Sequence, residues 1–510
     1  MVTKVKSSSL NGVNGYIVEV ETDIGRGMPA FDIVGLPDSA VKESKERVKA
    51  AIRNCGFEFP VKHITINLAP AHTKKEGPSF DLPIAVGILS QTGVILSEKT
   101  ADTMFMGELS LDGGIRPVRG VLPMVHSAFN EGIKNFIVPY DNSQEAALIE
   151  GANVYGVKSL TELVNHYKNE PISPAHSDFL KTGATPDKFN FLDFADVKGQ
   201  ANVKRALEIA AAGYHNIIMI GPPGSGKTMM AKRLPYIMPG LTFNESIDVT
   251  KIYSICGLVD NKNTLITERP FRAPHHTSSH TSLTGGGAVP KPGEISLAHK
   301  GMLFLDELPE FQRNSLEVLR QPMEEHTITL ARAAATITYP SDFMLVAAMN
   351  PCLCGNLFNG DACTCTQTQI NKYLQKISGP LLDRIDIQTE TTKIDYNDIR
   401  YSKGSGEKSE TILKRVLSAL EMQKQRYKNS GILYNSQLSA TQIEEHCPVD
   451  EKSHVLLKQA FESMGLSVRA YHKILKVART IADLDGNEKI EDIHIMEAIG
   501  YRSLDRKYWG

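Results

Sequence analysis

Apolar and polar positions alternate at the start of the chain. Tyr16-Ile17-Val18-Glu19-Val20-Glu21 and His63-Ile64-Thr65-Ile66-Asn67-Leu68 each repeat with period two, which predicts strands. Between them Val41, Val48 and Ile52 recur among charged residues over 39–54, a helical pattern opened by Asp38, a good N-cap residue. A second helix is predicted from about Asp81, through Leu82, Ile84, Ala85, Ile88 and Leu89, and Phe136-Ile137-Val138-Pro139 predicts another strand. The pattern then changes. Three largely apolar runs, at 216–220, 302–305 and 343–349, predict short strands buried on both faces, as in a parallel sheet. A hairpin is predicted over 328–339. Beyond 410 the period is helical over 411–428, 439–447, 451–464, 468–482 and 490–499. The chain therefore divides into an α+β domain over 1–167, an α/β core over 190–395 and a helical domain over 396–510. Residues 168–189 carry Pro171, Pro174, Pro186 and Gly183 with little periodicity. They read as a linker, or as a loop packed on the second domain.

With 510 residues, 41% of them hydrophobic and 22% charged, the chain exceeds a single core and has ordinary globular composition. Its net charge of −2 excludes a globally basic nucleic-acid coat, but not a channel lined by a few local cations. The first residues lead into no apolar stretch of signal-peptide length, and no run is long enough to span a bilayer. A cytoplasmic protein without a membrane partner is the expectation.

The chemistry sits at the ends of the apolar runs. Gly221-Pro222-Pro223-Gly224-Ser225-Gly226-Lys227-Thr228 fits G-x-x-x-x-G-K-[ST] between a strand and a helix-forming segment. Glycines there allow a tight turn whose backbone N–H groups face phosphates. Lys227 is placed to reach the β- and γ-phosphates of ATP, and Thr228 to ligate Mg2+. The second run ends in Asp306-Glu307, with Asp306 suited to hold magnesium and Glu307 to polarise the attacking water. The third run ends at Asn350, either a polar group orienting that water or a turn former. Cys352, Cys354, Cys363 and Cys365, four of seven cysteines, fall within fourteen positions and suit one structural Zn2+. Unligated thiols are the alternative.

These motifs together resemble AAA+ ATPases. Phe194-Ala195-Asp196-Val197-Lys198-Gly199-Gln200 looks like their adenine-side segment. Leu381-Leu382-Asp383-Arg384-Ile385-Asp386 resembles the segment that carries an arginine finger in magnesium-chelatase and related members. The resemblance makes Arg384 act on ATP held by a neighbouring subunit, and so implies a homo-oligomeric ring, six subunits being the family expectation. Its alternative is a helix-end ion pair. Arg469, at the start of a lid helix, falls where the family has the sensor-2 arginine that contacts the γ-phosphate, or is an ordinary helix-start arginine. The stretch from Phe271 to Glu294 resembles the helix-2 insert, and the predicted hairpin matches the pre-sensor-1 hairpin. Lys291 and Arg332 there are candidate pore contacts for a DNA backbone, or solvated loop charges. His275, His276 and His280 read as polar loop residues at the nucleotide interface rather than metal ligands.

The first domain is similar to the proteolytic domain of Lon. Glu76-Gly77-Pro78-Ser79 looks like the motif of its nucleophilic serine, and Gly107-Glu108-Leu109-Ser110-Leu111-Asp112-Gly113 like its downstream segment. The position of the Lon lysine falls on Leu122, which cannot act as a base. Ser79 is therefore expected as a helix N-cap or scaffold residue, and no protease is predicted. The order of parts resembles that of the ComM/YifB family: Lon-like domain, magnesium-chelatase-type AAA+ core with a C-x-C pair, and helical lid. The resemblance implies an ATP-driven ring helicase or branch-migration factor working on single-stranded or branched DNA in recombination or natural transformation. A magnesium-chelatase-like subunit, or a regulatory or chaperone ATPase with a protein client, is the alternative.

Overall fold

The computed structural model describes residues 2–168, 170–177, 192–259, 264–287, 290–332, 335–357, 362–393, 406–428 and 430–509. Contacts divide the chain into two units, Met1–Ala184 with Phe243–Ile266, and Thr185–Thr242 with Thr267–Gly510. The predicted linker over 168–189 lies largely outside the described residues.

The first unit is built on a seven-stranded mixed sheet. Its strands are β1 (Thr3–Asn11), β2 (Asn14–Gly25), β3 (Ala30–Val34), β4 (His63–Ala69), β5 (Thr103–Phe105), β6 (Asn135–Pro139) and β7 (Asn153–Val157). They run in the order β3-β4-β2-β1-β5-β6-β7. Helix α1 (Ser39–Asn54) starts where predicted, Val41 N–H donating to the Asp38 carboxylate at 2.8 Å. Successive strand residues serve opposite faces. Phe105 and Ile137 pack with Val48, Ile52 and the almost fully buried α2 (Asp81–Gln91), whereas Met104, Phe136 and Val138 pack with α3 (Val121–Asn130). Each buried aliphatic side chain contributes roughly 1.5–3 kcal/mol, so both faces need cover.

Part of that cover comes from a distant stretch. The sequence pattern placed 243–266 inside the ATPase core, but Ile247 and Leu265 join the α3 face of the first unit. In the helix Phe243–Cys256, the Ser254 hydroxyl donates to the buried Glu145 carboxylate, which also accepts Leu122 N–H at 3.1 Å and the Asn142 amide at 3.3 Å. Burial pushes the Glu145 carboxyl up from its ordinary range. Nothing in the local pattern of 243–266 encodes its partner, so a period-based reading leaves it with its sequence neighbours.

Ser79 is not the N-cap of α2. It lies in the preceding 3-10 turn Pro78–Phe80, its carbonyl accepting Gly107 N–H at 3.0 Å, and Phe80 occupies the cap position without a side-chain bond. Proline within the turn and the Gly107 contact fix that geometry instead.

The second unit holds a five-stranded parallel sheet. Helix α4 (Ala201–Gly213) leads into β8 (Ile217–Ile220), and the P-loop then enters α5 (Lys227–Ala231). Strands β9 (Phe271–Arg272), β10 (Met302–Leu305), β13 (Met344–Met349) and β14 (Ile387–Glu390) complete the order β9-β10-β13-β8-β14. Strands β8, β10 and β13 are buried along their whole length, as their unbroken apolar runs predict. Helix α6 (Arg320–Glu325) precedes the predicted hairpin, β11 (Thr327–Arg332) against β12 (Ala335–Pro340). Five lid helices follow: α7 (Ser409–Arg426), α8 (Ala440–His446), α9 (Glu451–Met464), α10 (Val468–Leu484) and α11 (Asp492–Gly500). Their apolar faces share one core with α4 and the sheet through Leu207, Val416, Ile474, Val477 and Ile481.

Candidate active site

Because β10, β13 and β8 are adjacent and parallel, their three C-terminal ends bring the motifs together at one edge of the sheet. The P-loop runs from Gly221 through Pro222, Pro223, Gly224 and Ser225 to Gly226, whose φ of 90° turns the chain into α5. The Ser225 hydroxyl meets that of Thr391 at 2.7 Å, tying the loop to the end of β14.

Lys227 is buried. Its ammonium donates to the carbonyls of Gly221 at 2.7 Å and Pro222 at 2.9 Å and to Asn350 Oδ1 at 3.2 Å. The structure thus brings the predicted lysine and the residue at the end of β13 into contact. Burial among neutral acceptors pushes the Lys227 amine down to about 8, with Asp306 and Glu307 pulling the other way. A polyphosphate favours the charged amine. Nucleotide affinity should therefore hold below pH 8 and fall as pH rises above it, toward roughly tenfold per unit. Fluorescent-nucleotide titrations from pH 7 to 9.5 check this. Lys227→Arg, whose guanidinium stays charged throughout, should show no such decline.

The Thr228 hydroxyl donates to Asp306 Oδ2 at 2.6 Å, so two hard oxygen ligands from opposite sides of the cleft converge on one point. That donor set fits Mg2+. Glu307 is held in the left-handed region, φ 53° and ψ 47°, which is costly for a residue with a side chain and places its carboxylate in the cleft. Glu307 Oε2 lies 3.1 Å from His276 Nδ1. His276 in turn lies against His275, ring centroids 4.1 Å apart, and edge-on to Phe311. This contact singles out, from three histidines of one loop, the residue that faces Glu307.

Arg384 and Arg469 lie elsewhere. Strand β14 runs parallel to β8 with Ile387 opposite Ile217, so Arg384 precedes the sheet edge at which β8 begins, while the P-loop follows the edge at which it ends. The carbonyl of Arg384 accepts the Asn216 amide at 3.1 Å, at that starting edge. A four-residue strand separates the two edges by about 13 Å. Arg384 Nη2 lies 2.6 Å from Glu324 Oε1, and Arg469 Nη2 lies 3.4 Å from the same oxygen. Arg469 begins α10, whose N-cap Ser467 accepts Ala470 N–H. One turn on, partly buried Lys473 reaches Asp386 Oδ1 at 2.8 Å. Asp386 Oδ2 accepts Asn216 N–H at 3.0 Å. Lys473 and His215 hold the Asp386 carboxyl well below the usual range despite its burial. This pin fixes the lid helix to the start of β8 and β14. Glu324 and Lys473 escape sequence reading because only tertiary packing makes them partners.

The cysteines gather as the spacing predicts. Sγ separations are 3.4 Å for Cys352–Cys354, 3.9 Å for Cys352–Cys363 and 3.7 Å for Cys354–Cys363, and all four ligand atoms, Cys365 included, lie within 4.8 Å of one another. Tetrahedral zinc, with Zn–S of about 2.3 Å, sets neighbouring sulfurs about 3.8 Å apart. Backbone N–H groups of Asn356 and Thr364 pull the Cys354 thiol down to about 6. The loop also meets the P-loop. A Cβ on Gly355, at φ 79°, would lie 2.5 Å from Pro223 Cδ, so only glycine fits.

Lys291 is exposed on the short ribbon formed by Gly285–Gly286 and Lys291–Pro292. Arg332 closes the hairpin register opposite Ala335, its side chain lying outside what is described.

Models of magnesium chelatase subunit ChlI match residues 193–399 and 20–142, and the ChlI C-terminal model matches 406–502. The Competence protein ComM of Haemophilus influenzae is 42% identical over 505 residues, covering 98% of this chain and 97% of that protein. The uncharacterized protein YifB of Escherichia coli is 41% identical over 497 residues, covering 97% and 96%. Lon protease 2 of Bacillus subtilis is 33% identical over 135 residues, 26% of this chain and 24% of the protease.

Proposed function

The chain belongs to the ComM/YifB family of magnesium-chelatase-like AAA+ ATPases, and from that premise we propose that it is a ring-forming motor that couples ATP hydrolysis to movement of DNA. The observation that carries the reading is the division of the ATPase parts between two edges of one sheet. Lys227, Thr228, Asp306, Glu307 and Asn350 meet at one edge, and Arg384 and Arg469 stand at the other. Such a subunit binds ATP at one edge and offers two cations to the ATP of a neighbour at the other.

In this mechanism the P-loop N–H groups and the Lys227 ammonium hold the phosphates. Thr228 and Asp306 would hold Mg2+, which would supply charge neutralisation for phosphoryl transfer. Glu307 takes a proton from the attacking water, and Asn350 orients that water between Lys227 and the γ-phosphate. Arg384 and Arg469 of the adjoining subunit neutralise charge that develops on the transferred group. A hexamer is the proposed assembly and the cytoplasm the proposed location. Among the described residues no helix is long and apolar enough to cross a membrane.

The hairpin β11–β12 and exposed Lys291 support DNA as the translocated partner. The competence name of the Haemophilus influenzae relative also favours DNA. In the Lon-like unit, Leu122 is fully buried with its N–H on Glu145, which supports a scaffold without proteolysis. The cysteine loop is proposed to hold one structural zinc that braces Pro223. Metal analysis of purified protein should find about one zinc per chain, lost on replacing Cys354 and Cys363 by serine.

The deciding experiment is unwinding of forked and four-way-junction DNA with ATP and Mg2+, beside Glu307→Gln. ATP-dependent strand separation that disappears in the variant is expected. Strong hydrolysis that no DNA stimulates, with no strand movement, would sink the DNA motor. It would turn attention to a protein client or a chelatase partner.

A further inference from the structure

Arg384 and Arg469 come from different parts of the second unit, one before β14 and the other on the lid, yet both end on a single oxygen of Glu324. Arg384 is nearly buried. Its Nη1 donates to the Pro380 carbonyl at 2.5 Å, its Nη2 meets Glu324, and its Nε is buried without a partner. Arg469 is mostly exposed. The two guanidinium groups and Glu324 line a cavity of about 340 Å³, with Lys473, Lys476 and His472 on the lid side. Two cations placed this close repel one another unless an anion lies between them, and Glu324 is that anion. The adjacent Glu325 cannot take the role, because the Gln321 amide donates to it at 2.8 Å.

Building on the reading above, we infer that Glu324 is a positioning residue that holds Arg384 and Arg469 together as one cationic unit for the phosphates of a neighbouring subunit's ATP. One carboxylate oxygen shared by both makes the lid and the sheet edge present their charges in fixed relation. The net charge of the triad stays positive, so it attracts a polyphosphate. Helix α6 carries Glu324 and leads within two residues into β11, so hairpin position and arginine position share one support.

Glu324→Gln keeps the size and removes the charge. Its kcat should fall on the order of 10²-fold, as for a misplaced reacting group, while KM and the affinity of its own P-loop for a fluorescent nucleotide stay near wild type. Glu324→Asp, which restores the carboxylate, should recover part of the loss. Arg469→Ala should cost less in the Glu324→Gln background than alone, since the pair is already uncoupled. Wild-type or raised kcat in Glu324→Gln would overturn the inference, and so would a parallel loss of own-site nucleotide affinity. Action across the interface is tested separately, by whether Arg384→Ala and Lys227→Ala chains restore activity when mixed. Failure there discards the cross-subunit reading itself, whereas restored activity beside an unaffected Glu324→Gln discards only the role of Glu324.

Discussion

Glu307→Gln is expected to bind ATP as the unaltered chain does and to hydrolyse it roughly 10²–10⁴-fold more slowly, the loss associated with removing a general base. The groups proposed to hold the phosphates are positioned without Glu307. Lys227 is set by Gly221, Pro222 and Asn350, and Thr228 by Asp306. The amide is isosteric with the carboxylate and retains a partner for His276, 3.1 Å away in the present structure. What the amide lacks is a basic oxygen at the position enforced by the left-handed backbone of residue 307. Equilibrium binding of a fluorescent nucleotide and steady-state phosphate release separate the two effects. Slow turnover with retained binding supports the assignment, and near-normal turnover would move the base to another group. A loss of binding would show instead that the cleft depends on the carboxylate's charge.

The parts of this site that were legible in the sequence lie at strand ends. An apolar run buried on both faces fixes a strand, and its first polar residues then fall at the sheet edge whatever the rest of the chain does. That is why strand ends alone point to Lys227, Asp306, Glu307 and Asn350, and spacing alone to the cysteine cluster. The lid helices were legible for a similar reason: their apolar stripes bury against α4 and the sheet. Residues whose meaning depends on a distant partner were not. Glu324 looks like one acidic residue in Met323-Glu324-Glu325 until Arg384 and Arg469 reach it. His276 gains its sense from Glu307, and Lys473 from Asp386. The stretch 243–266 follows the P-loop in sequence, yet Ser254, Ile247 and Leu265 find their partners on the α3 face of the Lon-like unit.

Arg384→Ala should lower ATP turnover by on the order of 10³-fold, the smaller end of what an arginine finger supplies. The reason is topological. Arg384 is tied to Asn216 at the edge where β8 begins, and the P-loop emerges where β8 ends, about 13 Å away along the strand. An arginine side chain that is already engaged by Pro380 and Glu324 does not cross that distance to its own nucleotide. On the proposed reading a second chain brings its ATP to the arginine, and a head-to-tail contact of that kind closes into a ring when its rotation permits. Mixing supplies the sharpest test. Lys227→Ala chains lack a working P-loop but keep Arg384, and Arg384→Ala chains have the opposite defect. Each alone should be nearly inactive. Equal amounts of the two, assembling at random, form a competent interface at about a quarter of positions, so roughly that share of wild-type turnover should return. If Arg384 served its own nucleotide, no interface in the mixture would be complete and turnover would stay at the level of the separate variants. The same outcome would remove the need for a ring, because the two edges of the sheet would then belong to one self-sufficient active site.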